Sequence, residues 1–195
     1  MEKLVWKLKV WGGKLQRIIL RYIFKFDKWH VFTLTEKQYA KDIIAYCNSR
    51  PVRNRFAEIG CGLGDIVRHV YYRERQGYDL DEKALKAARF LNSIMGGGKI
   101  RFSGFTFPGS PLPGNYDVIV LVNWIHHIEP AVLRSSIADY FNVALNEGGV
   151  IIIDTVQDPE YEYNHDVRFL TDGIGAGVSK LGDYERERQI WLIKK

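Results

Sequence analysis

The chain has 195 residues, 46% of them apolar and 26% charged, with a formal net charge of +5. That length is one globular domain with room for a proper core, and the balance is that of a soluble α/β protein rather than a disordered or fibrous one. Two cysteines, Cys47 and Cys61, exclude a disulfide framework and point to a reducing cytoplasm; no apolar run approaches the ~20 residues that span a bilayer.

The charge is concentrated at the start. Residues 1–28 carry Lys3, Lys7, Lys9, Lys14, Arg17, Arg21, Lys25 and Lys28 against Glu2 and Asp27, a net of +6, so the remainder sums to −1. Leu4, Leu8, Trp11, Leu15, Ile18 and Tyr22 recur at helical spacing, which predicts a basic amphipathic helix interrupted near Gly12-Gly13. Two uses of that helix stay open. Its apolar stripe docks on the protein's own core as a lid with the lysines solvated, or it lies on an anionic membrane surface or a partner protein. Nucleic acid is the weakest reading, because no binding motif accompanies the basic patch. Trp29-His30 falls at the junction between arm and core, where it can close over a cleft.

Arg53 to Ile59 reads as the end of a buried strand that breaks into Gly60-Cys61-Gly62-Leu63-Gly64, with a helix expected from Asp65 (Ile66, Val67 and Val70 on one face). Glycines at alternate positions let the backbone turn tightly and approach a ligand. The spacing is not G-x-G-x-x-G, and no Gly-Lys-Ser/Thr follows, so neither a dinucleotide fingerprint nor a phosphate loop is present. Glu58, two residues before Gly60, would repel a diphosphate and favour a cation. Glu58-Ile-Gly60-Cys61-Gly62-Leu-Gly64 resembles motif I of the class I S-adenosylmethionine-dependent methyltransferases, whose cofactor carries a sulfonium and an ammonium and no phosphate.

A second strand, Gln76 to Asp79, precedes a helical run with Ala84, Leu85, Ala87, Ala88 and Leu91. Asp79, 21 residues past Glu58, is placed to accept from both ribose hydroxyls, and Asp81 to cap the helix; either aspartate can also serve only as a cap. Gly77-Tyr78-Asp79-Leu80 resembles motif II, which supports the ribose role for Asp79. The third strand, Ile100 to Phe105, lacks the acidic residue that the family often places against the adenine amino group. The expectation here is that Ser103 or backbone near Gly104 meets the adenine and that Phe105 packs on its face.

After a loop from Pro108 to Asn115, Tyr116 to Val122 is a near-continuous apolar run, as in a strand buried on both faces. It ends in Asn123-Trp124-Ile125-His126-His127. A helix is expected from Ala131 to Leu145, closed by Gly148-Gly149, then a central strand from Val150 to Asp154. This order is similar to the second half of many class I methyltransferases, and the resemblance covers about residues 52 to 156. Beyond it, a polar stretch holds Tyr161, Tyr163, His165 and Asp166. A short helix near Val167 to Leu170 and two strands, Val178 to Tyr184 and Arg188 to Ile193, close the chain.

The fold class that follows is α/β, a doubly wound, mostly parallel seven-stranded Rossmann-like sheet ending in an antiparallel hairpin. Residues 1–50 form a basic aromatic arm and lid, and 51–195 the Rossmann-like domain. The resemblance implies S-adenosylmethionine as cofactor, held by Glu58, Gly60, Cys61, Gly62, Gly64, Asp79, Leu80, Ser103, Gly104, Phe105 and Asn123. Histidine is the natural base at neutral pH, so His126 and His127 are the catalytic candidates, with His127 read as facing the cleft; local capping by either is the alternative. Trp29, His30, Trp124, Tyr163 and His165 are the acceptor-pocket candidates, and no metal is expected. The reaction expected is O-methylation of a small-molecule, glycan or lipid-linked acceptor. The competing reading is a catalytically silent cofactor-binding partner subunit.

Overall fold

The computed structural model describes residues 2–95, 98–109 and 111–195, with side chains from Trp11 onward. Seven strands form one sheet in the order β3-β2-β1-β4-β5-β7-β6: β1 Arg55–Ile59, β2 Glu74–Asp79, β3 Ile100–Gly104, β4 Tyr116–Leu121, β5 Leu145–Thr155, β6 Gly177–Tyr184 and β7 Arg188–Lys194. The first five run parallel, and β7 is antiparallel to both β5 and β6. The expected doubly wound sheet with its terminal hairpin is therefore present. Strand order reverses between β1 and β4, which opens a crevice at their carboxyl ends.

Among the described residues five α-helices accompany the sheet: α1 Glu2–Phe24, α2 Gln38–Ser49, α3 Glu82–Met95, α4 Pro130–Asp139 and α5 Val167–Thr171. Strand side chains alternate between faces, so a strand covered on both sides must be apolar throughout. Ile119, Leu121, Ile151 and Ile153 meet Leu133 and Ile137 of α4 and Leu170 of α5. On the other face Val118, Val120, Val150 and Ile152 meet Ala40, Ile43 and Cys47 of α2 and Leu85 and Ala88 of α3. Thus α2 is built into the core. At the strand entrances Asp117, nearly buried, accepts from the Asn54 and Arg55 N–H groups and from Asn146 Nδ2, tying β1, β4 and the start of β5 together.

Several local expectations are corrected. Residues 62–69 form a chain of turns, not a regular helix. Side chains bond backbone groups that a helix would use: Glu58 accepts from Val67 N–H and His69 Nδ1 bonds the Asp65 carbonyl, while the Gly64 carbonyl accepts from both Arg68 N–H and Arg68 Nε. The Gly12-Gly13 pair does not interrupt α1. Each mid-helix glycine costs about 1 kcal/mol, but Gly13 lies where a Cβ would come within 3.0 Å of Thr33 Cγ2, so close packing offsets that penalty. The helical run after β4 reaches Ala144, as expected, but it is not α-helical throughout: α4 itself ends at Asp139. Glu129 caps it through the Ala131 and Val132 N–H groups, Pro130 opens it, and Tyr140–Ala144 is a π turn. Gly148 and Gly149 therefore lie within β5, which begins at Leu145, and do not close the helix.

The orientation of α1 is the largest departure. Trp11, Leu15, Ile18 and Tyr22 of the expected stripe face away from the protein and are exposed, as are Ile19 and Ile23. Leu4, Leu8, Lys3, Lys7 and Lys9 lie outside the described side chains. The helix is held instead by its opposite face. Leu20 packs with Phe26, Leu63, Ala84, Ala87 and Leu91, and Phe24 rests against that group. Arg17 is buried there, so the arm's cations are not all solvated.

Candidate cofactor and acceptor site

The glycine loop leaves β1 at the reversal point. Gly60 and Cys61 N–H both donate to the Tyr78 carbonyl, Gly64 N–H donates to the Cys61 carbonyl, and Gly62 N–H donates to Asp79 Oδ2 at 2.7 Å. Those four amides are turned inward, so they form no nest for a pyrophosphate. Gly60 (φ +75°) and Gly62 (φ +51°) sit in the left-handed region, and both approach aromatic rings. A Cβ on Gly60 would lie 2.2 Å from Trp124 Nε1, and one on Gly62 would lie 2.5 Å from His30 Nδ1. Trp124 is fixed there by its Nε1–H, which donates to the Ile59 carbonyl, and by an edge contact with Phe107.

Asp79 ends β2 beside the loop. Its second oxygen accepts from Asp81 N–H, and Asp81 in turn accepts from Lys83 N–H at the start of α3. The two aspartates thus differ in the expected sense: Asp81 caps, and Asp79 faces the loop. Leu80 is exposed at the rim. Gly104 pairs with Asp79 in register and has open space where a side chain would project. Ser103 accepts from Gln76 Nε2, two residues before its register partner Tyr78. Phe105 does not line the surface as the stacking expectation requires. Its ring is buried with Tyr78, 5.0 Å between centroids, because the chain turns into the core after β3. Cys61 is buried against the Cα of Gly77.

Glu58 is buried, with its carboxylate on Val67 N–H, so it braces the turn beneath the loop. Burial pushes its carboxyl up to about 8, against the lowering effect of that hydrogen bond. The folded chain therefore holds a proton that the unfolded chain releases near 4.3. The stabilising contribution is complete below the unfolded value and is lost as pH rises through about 8. Glu58→Gln keeps an acceptor for Val67. It is expected to match the parent near pH 5 and to be more stable by roughly 1–3 kcal/mol near pH 9, checked by urea melts at both pH values.

The arm reaches the same place. Arg17 donates to the His30 and Phe32 carbonyls and forks onto both oxygens of Asp65, which Lys37 and Arg68 also face. Burial alone would raise the Asp65 carboxyl, but Lys37 and Arg17 outweigh it and hold it well below the usual carboxylate range. This clamp sets His30 over Gly62. Burial lowers the imidazole pKa, opposed by Asp79. Trp29 is exposed beside it.

At the carboxyl ends of β4 and β5 lies a second group. Asn123 has φ +73° and is held there: its N–H donates to Asp154 Oδ1 and its Oδ1 accepts from Arg188. Arg188 pairs with the fully buried Asp154 and lies over the Tyr39 ring at 4.9 Å. The two histidines separate. His126 is buried, stacked on Tyr161 at 3.8 Å, with Nδ1 unpartnered, whereas His127 is exposed. Burial, with His127 and Arg188 adding to it, lowers His126 to about 4. His165 is also buried, with Nε2 on the Ile125 carbonyl; Asp166 caps α5 through Arg168 N–H and does not orient it. Tyr163 stacks near His165 and donates its N–H to the His126 carbonyl.

Arg188, Tyr39 and Arg17 escaped the sequence reading as site residues. Arg188 stands in an alternating charged turn, Glu185-Arg186-Glu187-Arg188, that gives no hint of burial. Arg17 did carry a signal, since at about 100° per residue it falls opposite the apolar stripe.

No protein-family model and no curated protein matches the sequence. Solved structures do match. The N-methyltransferase NodS from Bradyrhizobium japonicum, in complex with S-adenosyl-L-homocysteine, is similar with a TM-score of 0.68 and 14% identity, over 94% of this chain and 98% of that one. An S-adenosylmethionine-dependent methyltransferase from Clostridium acetobutylicum gives 0.67 at 16% identity over 94% and 98%. Magnesium protoporphyrin IX methyltransferase from Synechocystis, with bound S-adenosylmethionine, gives 0.66 at 13% over 97% of each chain. The fold is that of the class I S-adenosylmethionine-dependent methyltransferases.

Proposed function

We propose that this chain is an S-adenosylmethionine-dependent methyltransferase that acts on an oxygen of a small-molecule, glycan or lipid-linked acceptor. The observation that carries the reading is the joining of the inward-turned glycine loop to Asp79 at the crevice between β1 and β4. The residues fit that cofactor. A loop whose Gly60, Cys61, Gly62 and Gly64 amides are all taken internally suits a ligand that has no phosphate. Each Asp79 oxygen keeps a lone pair beyond its one N–H bond, enough to accept from two ribose hydroxyls. The open Gly104 Cα leaves room beside β3 for a base in place of the missing carboxylate. When bound, S-adenosylmethionine supplies an activated methyl carbon on a sulfonium.

The chain's own part is alignment and proton handling. Trp124 packs over the loop at Gly60 and excludes water there, while the His30 ring covers Gly62 in the ligand-free chain. Asn123, fixed by Asp154 and Arg188, shapes the floor below the acceptor. His126 is the candidate base: its ring is held by Tyr161 and its Nδ1 has no partner among the described residues. Burial lowers its pKa to about 4, leaving it unprotonated at neutral pH but a weaker proton acceptor. Saturable binding of S-adenosylmethionine and S-adenosylhomocysteine by calorimetry is the first test of the cofactor; no binding would favour a silent partner subunit.

His126→Asn is expected to lower kcat on the order of 10²–10⁴-fold with cofactor affinity unchanged. The parent's acidic limb should fall near pH 4, because His126 loses its basic form only there. An undiminished rate in the variant would point to an amine acceptor, whose free lone pair needs no base.

A further inference from the structure

α1 has one committed face and one without a partner. Arg17, Leu20 and Phe24 hold it to the protein. The other face presents Trp11, Leu15, Ile18, Ile19, Tyr22 and Ile23, each more than half exposed. Such a run exceeds what a water-facing helix needs. On the committed side Phe24 meets Phe90 of α3 at 5.7 Å, so the contact between the two helices leaves this stripe uncovered.

Charge selects the occupant. Arg21 flanks the stripe (Lys14, also beside it, is paired with Glu36), and beyond α1 Lys25 lies over the Tyr22 ring at 4.3 Å and Lys28 over the exposed Trp29 ring at 4.9 Å. Two copies of this chain meeting through the stripe would bring these cations together within a Debye length of about 8 Å. An anionic lipid surface attracts them, and amphipathic aromatic rings settle at the level of its headgroups. No helix among the described residues is long and apolar enough to cross a membrane, so the helix would lie in the interface plane.

We infer that the exposed face of α1 docks this protein on an anionic bilayer. The inference does not depend on the methyl-transfer reading.

The test is cosedimentation of the full chain with vesicles of phosphatidylcholine alone and of phosphatidylcholine mixed with phosphatidylglycerol. Binding is expected to the anionic vesicles, weakened by added salt, and much lower to the neutral ones. The Leu15→Glu/Ile18→Glu variant changes two exposed positions that make no hydrogen bond or ion pair among the described residues, so its thermal unfolding should match the parent's. It should bind anionic vesicles at least about tenfold more weakly. The inference is overturned if the parent ignores anionic vesicles at low salt, or if the variant binds them as well as the parent. A concentration-dependent dimer that the same variant abolishes would also overturn it, since a second copy would then cover the face.

Discussion

Asp79→Ala is expected to weaken S-adenosylmethionine binding by at least about a hundredfold. In the ligand-free chain the carboxylate already performs a structural task, accepting from Gly62 N–H with one oxygen and Asp81 N–H with the other. Removing it releases the loop where the proposed ligand would cross it and deletes the acceptors for the ribose hydroxyls. Two lost hydrogen bonds to a charged group, at about 1.5–3 kcal/mol each, account for that factor. Asp79→Asn should fall between, because its amide keeps one acceptor oxygen and turns the other position into a donor. Calorimetry with S-adenosylhomocysteine reads both variants, and an alanine variant within threefold of the parent would remove Asp79 from the site.

The second large effect is on stability. Asp154→Ala is expected to cost about 3–5 kcal/mol, because it leaves the Arg188 guanidinium buried without its partner. Asn123 N–H loses its acceptor at the same time, in a backbone conformation that few residues other than glycine adopt. The Asp154→Leu/Arg188→Met pair should recover most of that stability, since an apolar pair of similar volume removes the stranded charge. It should not recover turnover, because Asn123 would still lack both of its anchors. Urea unfolding of the two variants, beside a methyl-transfer assay, separates these roles. A loss below about 1 kcal/mol in Asp154→Ala would show that Arg188 finds water instead.

Much of the fold was legible because it is written in contiguous residues. The apolar runs of β4 and β5 can only be strands covered on both faces, and alternating glycines at the end of β1 mark the crevice. The Asp79/Asp81 division followed from their positions relative to α3. What stayed hidden depends on partners distant in the chain. The turn after Gly64 reads as a helix by its apolar spacing, yet Glu58, His69 and Arg68 take its backbone groups. Periodicity located the stripe on α1 but could not say which way it faces, because that is decided by Arg17 finding Asp65 across 48 positions. His126 and His127 are equivalent on paper; the chain that returns after β5 stacks Tyr161 on His126 and leaves His127 exposed.

The His30 ring over Gly62 changes what a cofactor affinity would mean. On the proposed reading, ring and cofactor claim the same surface of the loop, so the arm acts as a ligand tethered to its own receptor. An arm seated about nine-tenths of the time would raise the apparent Kd about tenfold above the intrinsic value, with no change in any contact the cofactor makes. Arg17 sets that occupancy, since the same guanidinium holds the His30 carbonyl and Asp65. A residue without any contact to the cofactor thus becomes a control on how tightly it is held.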